Sequence, residues 1–368
     1  KQTVPTEWSQ FATAANEAFD LKRSLKESIL ADHKHLGLRD GFHSDHGVAK
    51  QLEVPGQSAE NPLRPSNIGT LLDCPYKFLL STILGWDSPS ELPEPGQIDA
   101  MTFGTIMHKA IHSIYKSDDK MAIAPSDLAG LTPARIDKLS TYWAEKMFAE
   151  FPITKFISDS HATSDLKTRL ATAITSLLET DKQNALTAVD GEFKIAAELK
   201  IGEGKILFIQ GKPDRVENFG TKGTQVRIVD FKSGKGWGKE VEDLLPSYDI
   251  QVAVYALALE AIGRVKTKDL HSVEFRFPEK DRDSVRPFAA DKLNALRDAT
   301  YEWLGQIYTI LEKRNFVRTT DPENCRYCQF QTICGDNAPS KSQQKLETSK
   351  NAEHEALLTF WNRWKVAD

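Results

Sequence analysis

Two aspartates and a lysine lie in strand-like stretches of this chain. Asp214 ends the stretch Gly211-Lys212-Pro213-Asp214, and the run Val226-Arg227-Ile228-Val229 leads into Asp230, with Lys232 two positions later. Side chains at positions i and i+2 of a strand point to the same face, so Asp230 and Lys232 should project together, and a neighbouring strand can place Asp214 beside them. Two carboxylates and an ammonium group on one face suit a divalent metal that polarises a phosphate while the lysine positions or activates water. The alternative is that the aspartates are turn residues and Lys232 is a solvated edge lysine.

Three further polar residues lie on predicted helices. His108 sits beside the apolar face of a helix that begins after Gly104-Thr105. It is either a histidine at the margin of the core or a metal ligand, and an imidazole among carboxylates would add manganese to magnesium as a candidate ion. Gln251 and Tyr255 are four residues apart and share a helix face. That face either looks onto the aspartates and a DNA strand or belongs to a mostly buried helix.

The four cysteines have the spacing of a metal site. Cys325, Cys328 and Cys334 cluster near the end of the chain, and Cys74 lies far upstream. In a cytosolic chain, the C-x2-C spacing favours metal binding over a disulfide. Four thiolates without a nearby histidine suit either a structural zinc or a [4Fe–4S] cluster, and the spacing leaves both alternatives open.

Basic residues surround the predicted acidic site. The net charge of −5 gives no global support for nucleic-acid binding, so any binding must come from a local patch. Lysines and arginines with an interleaved aromatic residue suit the backbone and stacked bases of single-stranded DNA. The candidates are Lys212, Arg215, Lys235, Trp237 and Lys239. The alternative is that they are solvated loop residues.

The rest of the chain has ordinary globular composition. Of its 368 residues, 40% are hydrophobic and 27% are charged, and no apolar run is long enough to predict a membrane span or a signal core. Periodicity predicts helices at 8–38, 248–262, 291–314 and 352–366, a helical region at 125–190, a mobile polar segment at 337–350 and a polar linker before residue 62. Strands are predicted at 193–201, 206–214 and 226–231, forming an antiparallel meander, with a fourth at 271–277.

Taken together, these motifs resemble a known family. The order and spacing of four motifs resemble the PD-(D/E)xK nuclease core of the RecB-like group. These motifs are Gly104-Thr105-x-x-His108, Gly211-x-x-Asp214, Asp230-x-Lys232 and Gln251-x-x-x-Tyr255. One cysteine before this core and C-x2-C-x5-C after it are similar to the iron–sulfur branch, which includes the AddB nuclease domain and the CRISPR-adaptation exonucleases. Pro65-Ser66 followed by Cys74-Pro75-Tyr76-Lys77-Phe78 resembles the start of the AddB-type domain.

The resemblance implies a fold and a set of domains. The fold is an α/β restriction-endonuclease-like core, a mixed sheet flanked by helices, with a helical insertion and a four-cysteine staple. The nuclease domain would span 62–336, with its insertion at about 120–190 and its cysteine knuckle at 325–334. Residues 1–61 would be a helical segment and linker, and 337–368 a polar tail and terminal helix.

The resemblance also implies roles for single residues. Asp214, Asp230, His108 and the carbonyl of Phe231 would hold magnesium or manganese, and Lys232 would stabilise or activate the nucleophilic water. Gln251 and Tyr255 would orient DNA or the lysine. Cys74, Cys325, Cys328 and Cys334 would hold a [4Fe–4S] cluster.

The implied activity is metal-dependent hydrolysis of DNA, by an exonuclease on single-stranded ends, in repair, recombination or defence. By analogy a helicase would be a partner or a fused domain, and the cellular location would be the cytoplasm or nucleoid, without a membrane. The alternative from another class is a non-catalytic module of the same fold that binds DNA ends or serves as a scaffold. Such a module would be expected to lose its acidic residues, and this chain has them.

Overall fold

A computed structural model describes the chain in segments. These are residues 53–86, 98–116, 118–151, 154, 160–220, 223–233, 243–279 and 285–364. The predicted helix at 8–38, the linker after it, and Lys235, Trp237 and Lys239 lie outside these ranges. The described residues fall into two compact units, one within 53–72 and 98–308, the other within 73–86 and 309–364. The predicted domain boundaries differ from this division and stay a prediction.

The larger unit is built on a five-stranded mixed sheet, and a two-stranded hairpin lies apart from it. The strands are β1 Leu186–Asp190, β2 Ile195–Gly202, β3 Lys205–Gly211, β4 Arg215–Phe219, β5 Gln225–Phe231, β6 Leu270–Arg276 and β7 Val285–Ala289. The sheet order is β1-β4-β5-β6-β7, and β2 pairs with β3. Only β5 and β6 run parallel, while every other pair is antiparallel. The predicted α/β class, a mixed sheet flanked by helices, is confirmed.

The described segments also contain ten α-helices. They are α1 Pro65–Asp73, α2 Pro75–Phe78, α3 Ala100–Lys116, α4 Pro133–Glu150, α5 Ser160–Gln183, α6 Pro246–Ala261, α7 Asp291–Lys313, α8 Gln331–Cys334, α9 Ala338–Thr348 and α10 Ala352–Arg363. Helix α6 is the crossover that a parallel pair such as β5 and β6 requires. No helix in the described segments is both long and apolar enough to cross a membrane.

The central strand is covered on both faces. Helices α3, α4 and α5 form one apolar core with Val229 and Phe231 of β5. Helix α6 packs against β2, β5 and β6. Because successive side chains of a strand alternate between faces, Asp230 projects away from the face that bears Val229 and Phe231. Burial from both sides agrees with the unbroken run of buried residues from Ile228 to Phe231 at the end of β5.

The predicted three-stranded meander is wrong. The predicted strand at 206–214 ends at Gly211, and a new strand begins at Arg215 in the other sheet. Pro213 lies between them, and its missing N–H cannot continue a ladder of hydrogen bonds. Asp214 therefore occupies a break between two sheets rather than the end of one strand.

Two edge strands were not predicted. Strand β1 lies in the region that was expected to be wholly helical, and β7 contains Pro287. Both strands are at the edges of the sheet, where proline is tolerated because one side of the strand needs no ladder hydrogen bonds. A proline inside a short run hides such a strand from periodicity arguments.

Two helix predictions also needed correction. Helix α3 begins at Ala100, before Gly104-Thr105, because the Asp99 carboxylate accepts hydrogen bonds from the backbone N–H of Thr102 at 2.7 Å and from its hydroxyl at 2.8 Å. The segment at 337–350, expected to be mobile, contains α9. Its buried residues Ala338, Ser342 and Leu346 recur every four positions, which is one face of a helix.

A network of buried charges lies on the sheet face that α5 covers. A guanidinium nitrogen of Arg215 donates to Asp181 of α5 at 2.8 Å, and Arg276 donates to Glu217 at 2.9 and 3.1 Å. Arg276 also donates to Glu274 at 2.7 Å, and the hydroxyl of Tyr115 donates to Asp181 at 2.7 Å. Charges are costly to bury unless they are paired, so each member of this network depends on the others.

We expect Asp181→Ala to destabilise the larger unit by about 3–5 kcal/mol, because it leaves the buried Arg215 guanidinium short of a partner. The matched control is Glu145→Ala. It removes an exposed partner of Lys167 and should cost less than about 1 kcal/mol. Urea unfolding measures both free energies of unfolding. Equal losses in the two variants would contradict the assigned role of the network.

Candidate active site

The carboxylate of Asp230 and the ammonium group of Lys232 meet beyond the end of β5. Nζ of Lys232 lies 2.7 Å from Oδ2 of Asp230. This contact is an ion pair without the angles of a hydrogen bond, since Oδ2 is buried and has no hydrogen-bond partner. The strand spacing predicted that the two side chains project together, and they do.

Gln251 of α6 bridges these two charged groups. Its Oε1 accepts a hydrogen bond from Nζ of Lys232 at 2.8 Å, and its Nε2 donates to Oδ1 of Asp230 at 3.0 Å. A primary amide has both an acceptor and donors, so one side chain satisfies an ammonium group and a carboxylate at once. The position of α6 therefore sets the alignment of Asp230 with Lys232.

Asp214 lies across the same end of β5. Its Oδ2 accepts a hydrogen bond from the backbone N–H of Phe231 at 2.8 Å, and its Oδ1 lies 3.3 Å from Nδ1 of His108. The other ring nitrogen of His108, Nε2, lies 2.9 Å from the carbonyl oxygen of Phe231. Burial alone would lower the pKa of His108, but the hydrogen bond and charge of Asp214 outweigh burial and raise it. Both ring nitrogens face an acceptor, which favours the doubly protonated imidazolium.

The carboxyl group of Asp230 has a perturbed affinity for protons. Its pKa is raised to about 6, first because the group is buried and then because of the negative charge of Asp214, while Lys232 and His108 oppose the rise. Only 3% of Asp230 is exposed. The two carboxylates therefore repel each other in a poorly solvated place, which is the condition that a bound cation relieves.

Tyr255 lies one helical turn after Gln251 on α6. Burial, and then the charges of Asp230 and Asp214, raise its pKa, while hydrogen bonds with Gln251 and the backbone of Lys212 lower it. A Cβ at Gly211 would lie 2.9 Å from Cε1 of Tyr255 and 3.0 Å from Cδ of Pro65. The glycine of this motif therefore allows close packing against the tyrosine.

The predicted DNA-binding residues divide into three groups. Lys212 is exposed next to Asp214. The prediction for Arg215 is wrong, because its side chain is only 2% exposed and pairs with Asp181 and Glu217 beneath α5. It follows Asp214 directly, and the strand alternation turns it into the core. Lys235, Trp237 and Lys239 lie outside the described residues.

Sequence reasoning missed a glycine that supports Asp214. A Cβ at Gly191 would lie 2.2 Å from the carbonyl oxygen of Asp214 and 3.3 Å from Cα of Arg215. The next residue, Glu192, donates its backbone N–H to the carbonyl of Pro213 at 2.9 Å. The turn after β1 thus holds the turn that carries Asp214. A lone glycine gives no signal of this contact in a single sequence.

The donor set fits a hard divalent cation in its chemistry. Two carboxylates, a backbone carbonyl and an imidazole converge at the end of β5, and the Oδ2 atom of Asp230 lacks a hydrogen bond. In the segments that the structure describes, however, no three or more His, Cys, Asp or Glu residues are arranged to hold an ion. In this arrangement Lys232 and Gln251 contact the carboxylate oxygens of Asp230, and His108 contacts Asp214.

The four cysteines all belong to the smaller unit and form no disulfide. Burial raises the pKa of Cys74 to about 12, and the charges of Cys334 and Cys328 add to the rise. Hydrogen bonds from the backbone N–H groups of Lys77 and Thr319 oppose it. For Cys334, burial raises the pKa to about 11, with further effects from Cys328 and Cys325. Charges on neighbouring cysteines thus affect the pKa values of Cys74 and Cys334, and backbone amides are directed at the sulfur of Cys74.

Backbone contacts hold the two cysteine segments together. The side-chain amide of Asn324 donates to the carbonyl of Asp73 at 3.1 Å, and the N–H of Tyr76 donates to the carbonyl of Val317 at 3.1 Å. The N–H of Cys328 donates to the carbonyl of Cys325 at 3.0 Å and closes the knuckle. These contacts bring residue 74 to the region of the C-x2-C turn, but the four described cysteines are not arranged to hold an ion.

Comparison with known proteins identifies the fold family but no individual relative. No curated protein matches the sequence. A solved structure titled "Crystal structure of SSO0001" is 17% identical, and the match covers 64% of this chain and 95% of that chain with a TM-score of 0.25. That score is too low to support an argument.

The sequence profile of the PD-(D/E)XK nuclease superfamily matches residues 62–335, which is more than half of the chain. The matched range includes His108, Asp214, Asp230, Lys232 and Gln251, whose side chains meet at the end of β5. The iron–sulfur branch is a finer assignment that this match does not make. The chain belongs to the PD-(D/E)XK nuclease superfamily.

Proposed function

We propose that the protein is a metal-dependent DNA nuclease that acts on single-stranded ends. The observation that carries the proposal is the buried Asp230 carboxylate, which lies in the field of Asp214 and is held by Lys232 and Gln251. A buried acid with a strongly shifted pKa beside a specific charged partner is typical of functional sites.

The residues have distinct roles in this proposal. Asp214, Asp230, the carbonyl of Phe231 and the imidazole of His108, once it has lost a proton, would hold a magnesium or manganese ion. When bound, the ion supplies a Lewis acid for a phosphate oxygen and lowers the pKa of water. Lys232 and Gln251 contact the carboxylate oxygens of Asp230 that the ion would need. Both side chains would therefore release Asp230 when the ion binds.

Lys232 and Gln251 would then act on the nucleophilic water. Nζ of Lys232, freed from Asp230, can hold the water by a hydrogen bond and stabilise negative charge on its oxygen. Oε1 of Gln251 keeps the ammonium group directed toward the site. Tyr255 supports Gln251 by accepting a hydrogen bond from its side-chain amide, and burial raises the pKa of Tyr255.

The rival function is a non-catalytic module that binds DNA ends. Such a module would need the fold and the basic residues. It would not need the contacts that connect Asp230, Lys232 and Gln251. The presence of these contacts favours the enzyme. The helicase partner implied by the resemblance stays an expectation.

We expect Asp230→Asn to abolish magnesium- or manganese-dependent cleavage of end-labelled single-stranded DNA, because it removes a charged ligand of the ion. The control is Asp165→Asn, in which the changed carboxylate is exposed on α5. This control should cleave at the wild-type rate. DNA with both ends blocked should resist the wild-type protein.

Cleavage by wild type and by Asp230→Asn at equal rates would refute the assigned site. Binding of DNA ends by wild type without cleavage in either metal would favour the non-catalytic module. Rapid cleavage of circular or doubly blocked DNA would contradict the requirement for ends.

We expect Lys212→Ala to weaken DNA binding and to lower the slope of log K against log salt by about 0.7, the share of one phosphate contact on a single strand. Lys200→Ala is the control, since Lys200 is an exposed lysine on β2. Fluorescence anisotropy across a salt series measures both slopes. An unchanged slope in Lys212→Ala would remove this lysine from the DNA path.

We also propose that Cys74, Cys325, Cys328 and Cys334 hold a [4Fe–4S] cluster. The supports are four free thiols in the smaller unit, the amides directed at Cys74, and the resemblance of the spacing. A bound cation would convert the thiols to thiolates. A structural zinc is the alternative that the same donors allow.

Protein purified without oxygen should contain about four iron atoms per chain and absorb visible light broadly. Cys328→Ala should lose the iron and the absorbance and unfold at lower temperature. Tyr327→Ala is the control in the same turn, because Tyr327 is 88% exposed and should not affect the cluster. One zinc per chain without visible absorbance would establish the alternative, and retained metal in folded Cys328→Ala would refute both.

A further inference from the structure

The start of α6 is fixed by a buried ion pair outside the candidate active site. Arg286 of β7 donates from Nε to Oδ1 of Asp249 at 2.7 Å and from Nη2 to Oδ2 at 2.5 Å. The same Nη2 also donates to the backbone carbonyl of Asp243 at 2.8 Å. Both side chains are buried. A two-pronged contact of this kind fixes orientation as well as distance.

Asp249 also completes the end of the helix. The N-cap residue is Leu245, whose side chain offers no hydrogen bond to the helix. Oδ2 of Asp249 instead accepts a hydrogen bond from the backbone N–H of Leu245 at 2.7 Å. One carboxylate therefore closes the first turn of α6 and connects it to β7.

Apolar packing alone does not specify the rotation of α6 about its axis. Its residues from Asp249 to Leu259 are buried on every side except at Gln251, so no polar face distinguishes one rotation from another. Hydrophobic contacts are non-directional, whereas the Asp249–Arg286 contact is directional. Gln251 follows Asp249 by two residues and must meet both Asp230 and Lys232 at hydrogen-bond distance.

We propose that Asp249 and Arg286 are positioning residues that set the rotation of α6 and thereby place the Gln251 amide between Asp230 and Lys232. The pair does not contact the reacting groups itself. The consequence for catalysis rests on the proposed nuclease function, whereas the consequence for the Gln251 amide does not.

The test compares two ion pairs on the same helix. Asp249→Asn keeps an acceptor for Leu245 but removes the charge that holds Arg286. The matched control is Glu260→Gln near the other end of α6, where Arg297 makes a similar two-pronged contact at 2.6 and 2.7 Å. Arg286→Lys is the second variant in case Asp249→Asn does not fold. The lysine retains the positive charge but cannot make the two-pronged contact with Asp249.

The first measurement is the side-chain amide signal of Gln251 in a ¹⁵N correlation spectrum, assigned by its loss in Gln251→Ala. In Asp249→Asn and Arg286→Lys, the signal should move toward that of a free glutamine, and in Glu260→Gln it should stay at the wild-type position. The spectra are recorded below the melting temperature of each variant. A wild-type signal in folded Asp249→Asn or folded Arg286→Lys would overturn the proposal.

The second measurement is the single-turnover cleavage rate with metal and DNA in excess. Misplacement of Gln251 should lower this rate about 10- to 100-fold in Asp249→Asn with DNA affinity unchanged, while Glu260→Gln should keep the wild-type rate. Equal rates in both variants would overturn the catalytic consequence. If wild type does not cleave DNA, the proposed function fails, and the amide signal still decides the role of the ion pair.

Discussion

The repulsion between Asp214 and Asp230 is the constraint that the contacts at the end of β5 have to meet. The chain brings two carboxylates to one end of a buried strand, where water cannot screen them well. Lys232, His108 and Gln251 compensate for that repulsion in the structure described. Among the described residues no ready-made ion cage is present, and protein groups contact the carboxylate oxygens instead. The fold maintains an unfavourable pair, and its neighbours offset the cost.

The sheet meets this constraint through its mixed topology. Asp214 comes from the break between the β2–β3 hairpin and the main sheet, whereas Asp230 comes from the central strand. A crossover helix must follow β5, because β6 runs parallel to it, and this helix delivers Gln251 and Tyr255 to the strand end. On the opposite face, the charges of Arg215, Glu217 and Arg276 tie β4 and β6 together across β5. Different parts of the fold thus position the different residues of the site.

The sequence predicted the proximity of Asp230 and Lys232 better than it predicted the sheet. The spacing was enough to predict that Asp230 and Lys232 project together, because residues two apart in a strand point to the same face. Arg215 was wrongly taken for a surface residue, since burial of a paired arginine depends on Asp181, which is distant in sequence. Strand β7 escaped detection because Pro287 interrupts its pattern, and the supposed meander failed because a short apolar run does not say which sheet it joins. Spacing within one strand was a reliable signal, whereas the side-chain and strand partners that come from distant parts of the sequence could not be predicted.

Gly191 has a consequence for reading activity across related sequences. The space beside the Asp214 carbonyl is smaller than one carbon atom needs. A relative could therefore match every acidic, basic and amide position and still be inert, with an alanine at this site shifting the first aspartate out of reach of the second. Surveys that score only the motif residues would count such a chain as an active enzyme. The shape of the backbone at an unremarkable turn would be the better criterion.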